Sequence, residues 1–284
     1  MARRTNFKQE LVGVFGYPVA ENPTQAMIEP AFADMGLDWR YLTVEVRPDQ
    51  LGDAVRGARA MNWKGFNCTI PHKVTVIPYL DRLNPAAEII GAVNCVINHN
   101  GELIGDNTDG KGFLQSLANV HGVTGLHAVV LGAGGAARAL AIELALAHAA
   151  QITIVNRSID RGQALAQLIR DRTAASALFV HWEDKYQVPA DAGLLVNATS
   201  VGLFPDVVAR PPLDLETLRP GLIVCDVIPN PPETQLLRDA KARGCITLDG
   251  LGMLVNQGVI GIRLWSECEP SSQVMREALL EALF

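Results

Sequence analysis

The sequence has no Cys-x-x-Cys pair, and its five cysteines, Cys68, Cys95, Cys225, Cys245 and Cys268, are odd in number and scattered. That excludes a disulfide framework and a zinc-finger spacing. The six histidines are equally dispersed, so no metal site is expected. Basic charge is not in excess: 24 Lys and Arg face 30 Asp and Glu, for a net charge of −6, which argues against a nucleic-acid partner. Repeats and low-complexity tracts are absent. The N-terminal MARRTNFKQE lacks the apolar stretch of a secretory signal. Residues Phe113 to Ala137 carry no charge, but Gln115, Ser116, Asn119, His121, His127 and five glycines interrupt them. A membrane span needs ~20 mostly apolar residues, so none is expected and the chain is placed in the cytoplasm.

What is present is a globular composition, 49% hydrophobic and 19% charged, over 284 residues. That length suits one large domain or two modest ones. The first third alternates strand-like runs with helical spacing. Strands are read at 11–16, 39–46 and 64–70, and helices at 24–35 and from Pro48 to about Met61. His99-Asn100-Gly101 between two apolar runs signals a hairpin. A second alternating series starts near Gly125, with strands in HAVVL, QITIVNRS, GLLVNATS, GLIVCDVI and CITLDG. Helices are read at 160–172, 233–243, 251–266 and 271–283. Strands alternating with helices predict an α/β fold.

Val129-Val130-Leu131 runs into Gly132-Ala133-Gly134-Gly135-Ala136-Ala137, a G-x-G-x-x-A turn between an apolar strand and an Ala-rich helix. The first glycine allows the tight turn. The second lets the backbone approach a pyrophosphate, and the small third residue lets helix and strand pack closely. The bland alternative is a turn that merely packs the helix. At the end of the next strand stand Asn156-Arg157-Ser158, with Arg161 one turn on. No carboxylate sits at that tip to take a ribose 2′-OH. Arg157, Ser158 and Arg161 suit a 2′-phosphate, which favours NADP, while Asp160 keeps NAD open. Ser158 also reads as a helix cap.

Polar residues gather at Asn67-Cys68-Thr69-Ile70-Pro71-His72-Lys73, Gly91-Ala92-Val93-Asn94, Asn107-Thr108-Asp109-Gly110, Asn197-Ala198-Thr199-Ser200 and Gln257-Gly258. In this order, and with the glycine turn and Asn156-Arg157-Ser158, they resemble the shikimate dehydrogenase family from about Gly13 to Gln257. The resemblance implies an N-terminal α/β substrate-binding domain (1–108), a Rossmann dinucleotide-binding domain (109–248) and C-terminal helices (249–284) returning to the first domain. It implies reversible oxidation of shikimate to 3-dehydroshikimate with a nicotinamide cofactor, in a monomer or homodimer.

By that resemblance Lys73 and Asp109 are the catalytic pair. Asn22, Thr24, Thr69, Asn94, Asn107 and Gln257 contact substrate. The cofactor positions are Gly132, Gly134, Gly135, Ala136, Asn156, Arg157, Ser158, Arg161, Thr199, Ser200, Val227 and Gly250. Alcohol oxidation needs a proton acceptor beside the oxygen, which a tuned Lys with an orienting carboxylate provides. Taken alone, Asp109 also reads as a helix cap and Lys73 as a surface lysine. His72 receives no role.

Two stretches depart from the family pattern. Asn22 and Thr24 stand where members carry a Ser-x-Ser pair for the substrate carboxylate, with Glu21 adding negative charge. Pro229 stands where they carry a substrate-facing Tyr. The departures point to a divergent branch acting on shikimate, quinate, an amino-substituted relative or another cyclohexane carboxylate. A non-catalytic nicotinamide-binding regulator and a Rossmann methyltransferase are the competing classes. Retention of both Lys73 and Asp109 speaks against the regulator.

Overall fold

The computed structural model describes residues 7–284. The expectation about the N-terminal run falls, up to Asn6, outside the described residues. The chain divides into two compact units: residues up to Thr108 with Gly258–Phe284, and Asp109–Gln257.

The first unit holds a mixed six-stranded sheet. Its strands are β1 (Glu10–Gly16), β2 (Trp39–Glu45), β3 (Gly65–Cys68), β4 (Arg82–Leu83), β5 (Cys95–His99) and β6 (Glu102–Asp106), in the order β2-β1-β3-β5-β6-β4. β1 runs parallel to β2 and β3, whereas β5 is antiparallel to β3 and β6. Asn100 (φ 54°) and Gly101 (φ 96°) make the predicted hairpin turn, both in the positive-φ region that a tight two-residue turn requires. Helix α1 (Thr24–Asp34) is as read. The helix expected from Pro48 begins instead as a 3₁₀ turn, Pro48–Gln50, and continues as α2 (Leu51–Ala60). Two short helices were not read: α3 (His72–Thr75) and α4 (Pro85–Ile90).

Helices cover both faces of this sheet. Leu51, Val55 and Ala58 of α2 lie on one stripe and share a core with Phe15, Trp63, Phe66 and Val96. Phe15 and Phe66 stack with ring centroids 4.6 Å apart. Each fully buried side chain of this size contributes about 1.5–3 kcal/mol. On the other face α1 packs against α10 (Ser272–Leu283). A Cβ on Gly258 would collide with Met27 and Met275, and Trp265 donates its indole N–H to the Val96 carbonyl (3.0 Å).

The second unit holds β7 (His127–Leu131), β8 (Gln151–Asn156), β9 (Ser176–His181), β10 (Leu194–Asn197), β11 (Ile223–Asp226) and β12 (Ile246–Leu248). Its helices are α5 (Thr108–Ala118), α6 (Gly135–Leu146), α7 (Ile159–Arg172), α8 (Gln235–Ala242) and the first part of α9 (Gly250–Ser266). All six strands are parallel, in the order β9-β8-β7-β10-β11-β12. This is the doubly wound Rossmann order, with its switch point between β7 and β10, where ligands bind beyond the strand carboxyl ends. Edge strand β9 is not evident from sequence: Ser176-Ala177 is poor strand material, and Ala177 alone of the strand is buried. The division falls at Gly258, inside α9, rather than at 249.

Candidate active site

In the second unit the glycine turn leaves β7 at the switch point. Gly132 has φ +108°, and a Cβ there would press on the Ala198 carbonyl (3.1 Å) and the Thr199 methyl (3.2 Å). The fold itself therefore requires this glycine. Gly134 and Gly135 differ. A Cβ on either meets nothing within 4 Å, and Gly134 has an ordinary φ of −84°. No intramolecular constraint accounts for two exposed glycines at the N-terminus of α6, whereas the close approach of a ligand backbone does. No side chain caps that helix start, so its N–H groups and dipole face an open cradle. Ala136 completes the first turn, half-buried. The donor set and the space fit a dinucleotide pyrophosphate.

At the tip of β8, Asn156 donates to the Ser158 carbonyl (2.8 Å), and the Ser158 hydroxyl accepts from Arg161 N–H at the start of α7 (3.5 Å). Ser158 is thus the cap, with Asp160 in the first helical turn. The Arg157 and Arg161 side chains are exposed and enter no ion pair among the described residues. Two exposed guanidinium groups at the tip of β8 suit a phosphate.

The loop after β10 is held from below. Asn197, fully buried, gives its amide N–H to both oxygens of Asp226 (3.1 Å each). Its amide oxygen accepts from the Thr199 N–H (3.1 Å) and hydroxyl (2.7 Å). Asp226 also accepts from Ile228 N–H (3.2 Å) and from the hydroxyl of Thr234 (2.8 Å), the cap of α8. Burial pushes the Asp226 carboxyl up to about 6, against the lowering by these hydrogen bonds. Gly250 packs on the same segment: its Cβ would meet the Ile228 carbonyl at 2.4 Å, so Val227 and Gly250 share one backbone contact region. Ser200 lies exposed at the end of this loop.

Asp109 and Gln257 also belong to this unit. Asp109 lies inside the first turn of α5 rather than capping it. α5 and α9 cross closely because Gly112 faces Gln257 N (2.6 Å to its would-be Cβ) and Gly252 faces the Ser116 hydroxyl (2.8 Å). Asn256 donates to that hydroxyl (2.9 Å) and to the Gly112 carbonyl (3.3 Å). Gln257 is buried and donates to the Leu254 carbonyl (3.0 Å).

In the first unit one segment, Ala92-Val93-Asn94, ties the other motifs together. Val93 N–H bonds the Lys73 carbonyl (2.7 Å), and Asn67 donates to the Asn94 carbonyl (2.9 Å). The Asn94 side chain donates to the Thr108 hydroxyl (3.0 Å) and accepts from Thr108 N–H (2.7 Å), fixing the residue that precedes Asp109. Asn107 donates to the Ala92 carbonyl (3.1 Å), and its own N–H is held by buried Asp106 (2.7 Å). Lys73 sits on α3, half-buried, near enough to Cys68 for its charge to offset part of the burial that pushes that thiol up to about 12. His72 is fully buried, its Nε2 bonded to the Val46 carbonyl (2.7 Å), which anchors α3. Thr69 is half-buried, its carbonyl accepting from His72 N–H (2.7 Å).

Asn22 and Thr24 are adjacent but already engaged. The Asn22 amide oxygen accepts from Thr24 N–H (3.0 Å), leaving its NH₂ as donor. Thr24 is buried, and nearby Tyr41 donates its phenol proton to Asn67 (2.7 Å). Sequence reasoning missed Tyr41, Thr108, Asp226, Thr234 and the bracing role of Asn256. Their partners are distant in sequence, and nothing local marks them.

A Rossmann unit with an open pyrophosphate cradle, joined in one chain to an α/β unit in which Lys73 and a set of buried neutral amides are tied to one segment, defines a nicotinamide-dependent oxidoreductase. Three family models match: the shikimate dehydrogenase substrate binding domain (residues 14–96), shikimate / quinate 5-dehydrogenase (116–200) and the shikimate 5′-dehydrogenase C-terminal domain (250–280). The shikimate dehydrogenase (NADP(+)) of Desulforamulus reducens is 43% identical over 282 residues, covering 97% of this chain and 96% of its own. Among solved structures, 5-ketofructose reductase of Gluconobacter sp. strain CHM43 is 51% identical with a TM-score of 0.95, covering 98% of this chain and 100% of that one. Shikimate 5-dehydrogenase of Listeria monocytogenes, solved with shikimate and NAD, is 35% identical with a TM-score of 0.91, covering 100% and 99%. The chain belongs to the shikimate dehydrogenase family.

Proposed function

We propose that this protein reversibly oxidises shikimate to 3-dehydroshikimate, or a close cyclohexane carboxylate, with NADP as the preferred nicotinamide cofactor. The observation that carries the cofactor half is the pair of exposed glycines, Gly134 and Gly135, whose missing side chains serve no contact of the fold. Gly132 to Ala136 hold the pyrophosphate. Arg157, Ser158 and Arg161, seated by Asn156, hold the 2′-phosphate, and Thr199, Ser200, Val227 and Gly250 shape the nicotinamide end. When bound, the nicotinamide supplies the hydride acceptor. Lys73 and Asp109 are the pair that takes the hydroxyl proton as the hydride leaves the carbinol carbon, and returns it in reduction. Thr69, Asn94, Asn107 and Gln257 bind the ring hydroxyls by neutral hydrogen bonds. None of the five cysteines is in a disulfide, which suits a reducing cytoplasm. Among the described residues no helix is long and apolar enough to cross a membrane, and no group of three or more His, Cys, Asp or Glu could hold a metal ion. The partner is a small molecule, not nucleic acid or membrane, and the protein acts as a monomer or homodimer.

A second reading is favoured by the seat at Asn22 and Thr24. Thr24 is buried, and the Asn22 amide oxygen is already taken by the Thr24 N–H, which leaves the Asn22 NH₂ as the donor of that side chain. Pro229 removes a further donor. That seat suits a hydroxyl better than an anion, and the 51% identical 5-ketofructose reductase is named for a substrate without a carboxylate. Under this reading the same lysine and nicotinamide reduce a neutral polyhydroxy ketone. Initial rates separate the two. Shikimate and quinate are oxidised with NADP or NAD, and 3-dehydroshikimate and 5-ketofructose are reduced with NADPH or NADH. Saturable turnover of shikimate supports the first reading. Turnover confined to 5-ketofructose replaces it with the second.

A further inference from the structure

Asp226 is a buried carboxylate that pairs with no cation among the described residues. Its hydrogen bonds to Asn197, Ile228 and Thr234 all come from neutral donors. Burying such a charge is costly, and a neutral isostere would remove that cost, so the acceptor character is what the site uses. A carboxylate only accepts, whereas an amide presents one acceptor and one donor face. Facing Asp226, Asn197 must turn its NH₂ inward. Its oxygen then points outward, where it takes both the N–H and the hydroxyl of Thr199. Thr199 in turn accepts from Val201 N–H (3.1 Å), and the Asn197 NH₂ also reaches the Val201 carbonyl (3.3 Å). The whole 197–201 turn is therefore specified through one amide orientation.

We infer that Asp226 is a positioning residue for hydride transfer: it fixes the orientation of the Asn197 amide and thereby sets the Thr199–Ser200 turn against the nicotinamide. This rests on the reading that Thr199, Ser200 and Val227 form the nicotinamide end. Asp226→Asn would offer an NH₂ to donors. Asn197 would flip to satisfy it and lose both Thr199 bonds, while the glycine turn and Arg157 stay in place. The expected signature is split by ligand half.

The experiment titrates wild type and Asp226→Asn with NADPH, and separately with adenosine 2′,5′-bisphosphate, which lacks the nicotinamide. The variant should bind NADPH about tenfold more weakly or worse, from the loss of two hydrogen bonds, and the bisphosphate within about twofold of wild type. Equal weakening for both ligands, or none, overturns the inference. The exchange Asn197→Asp with Asp226→Asn restores one acceptor-only partner facing one amide, and should recover NADPH affinity. Should Asp226→Asn not fold, the exchange carries the test: a folded exchange protein with wild-type NADPH affinity supports the inference, and one that binds NADPH poorly but the bisphosphate normally overturns it. A wild type that binds neither NADPH nor NADH removes the cofactor reading, and the inference falls with it.

Discussion

Two glycines of one motif are expected to respond in opposite ways to the same added methyl group. Gly132 has φ +108°, and its Cβ would sit 3.1 Å from the Ala198 carbonyl. Gly132→Ala therefore meets both a strained backbone and a tight contact, at about 1–3 kcal/mol. At ~2–4 °C per kcal/mol for a unit of this size, ~2 kcal/mol is a melting temperature lower by roughly 4–8 °C. Gly134 has φ −84° and open space around its Cβ. Gly134→Ala should leave the ligand-free protein unchanged or stabilise it by up to ~1 kcal/mol, because the unfolded chain loses freedom. In the liganded protein that methyl stands where a pyrophosphate must approach. Overpacking of about 1–3 kcal/mol weakens binding by roughly fivefold to a hundredfold. The assay is a pair of melting curves for each variant, without and with saturating NADPH, plus an NADPH titration. If Gly134→Ala melted as low as Gly132→Ala without ligand, or bound NADPH as wild type does, the cradle argument would be wrong.

Other positions give independent outcomes. Lys73→Ala should lower turnover by about 10²–10⁴-fold with NADPH affinity intact, checked by initial rates and fluorescence titration. Arg157→Gln should raise KM for NADP by about tenfold and leave KM for NAD nearly unchanged. At the amino ends of β7 and β8, His127 bonds Asp191 (3.0 Å) and Thr153 (2.9 Å). The hydrogen bond from His127 holds the exposed Asp191 carboxyl below the ordinary carboxylate range. A depressed carboxyl stabilises the fold above its unfolded pKa and loses that contribution as pH falls through the folded one. Asp191→Asn should thus melt below wild type at neutral pH and converge with it in strong acid. Melting curves across pH check the sign.

Much of the fold was legible because its signals are local. The glycine turn announces itself by residue type, and its context of apolar strand and Ala-rich helix fixes the β7–α6 unit. The hairpin at Asn100-Gly101 is written in residues that tolerate positive φ. Ser158 is a cap in the sequence and in the structure. What was not legible depends on partners far along the chain. Asp226 precedes a proline-rich loop and looks like an ordinary strand exit; only the fold brings Asn197 to it. Tyr41 reads as an aromatic strand residue, yet its hydroxyl donates to buried Asn67, on another strand. Asn256 interrupts an apolar helix face for a reason that only the α5–α9 crossing supplies.

As a member of this family, the chain is expected to move a hydride between a nicotinamide and the carbinol carbon of a small polyhydroxylated substrate. The direct test supplies NADPH deuterated at the transferring C4 position together with 3-dehydroshikimate or 5-ketofructose, and weighs the alcohol product. One deuterium should be gained, on carbon, in the product of at least one of the two ketones, and Lys73→Ala should form that product about 10²–10⁴-fold more slowly. An unlabelled product, or none from either ketone despite tight NADPH binding, would contradict that expectation.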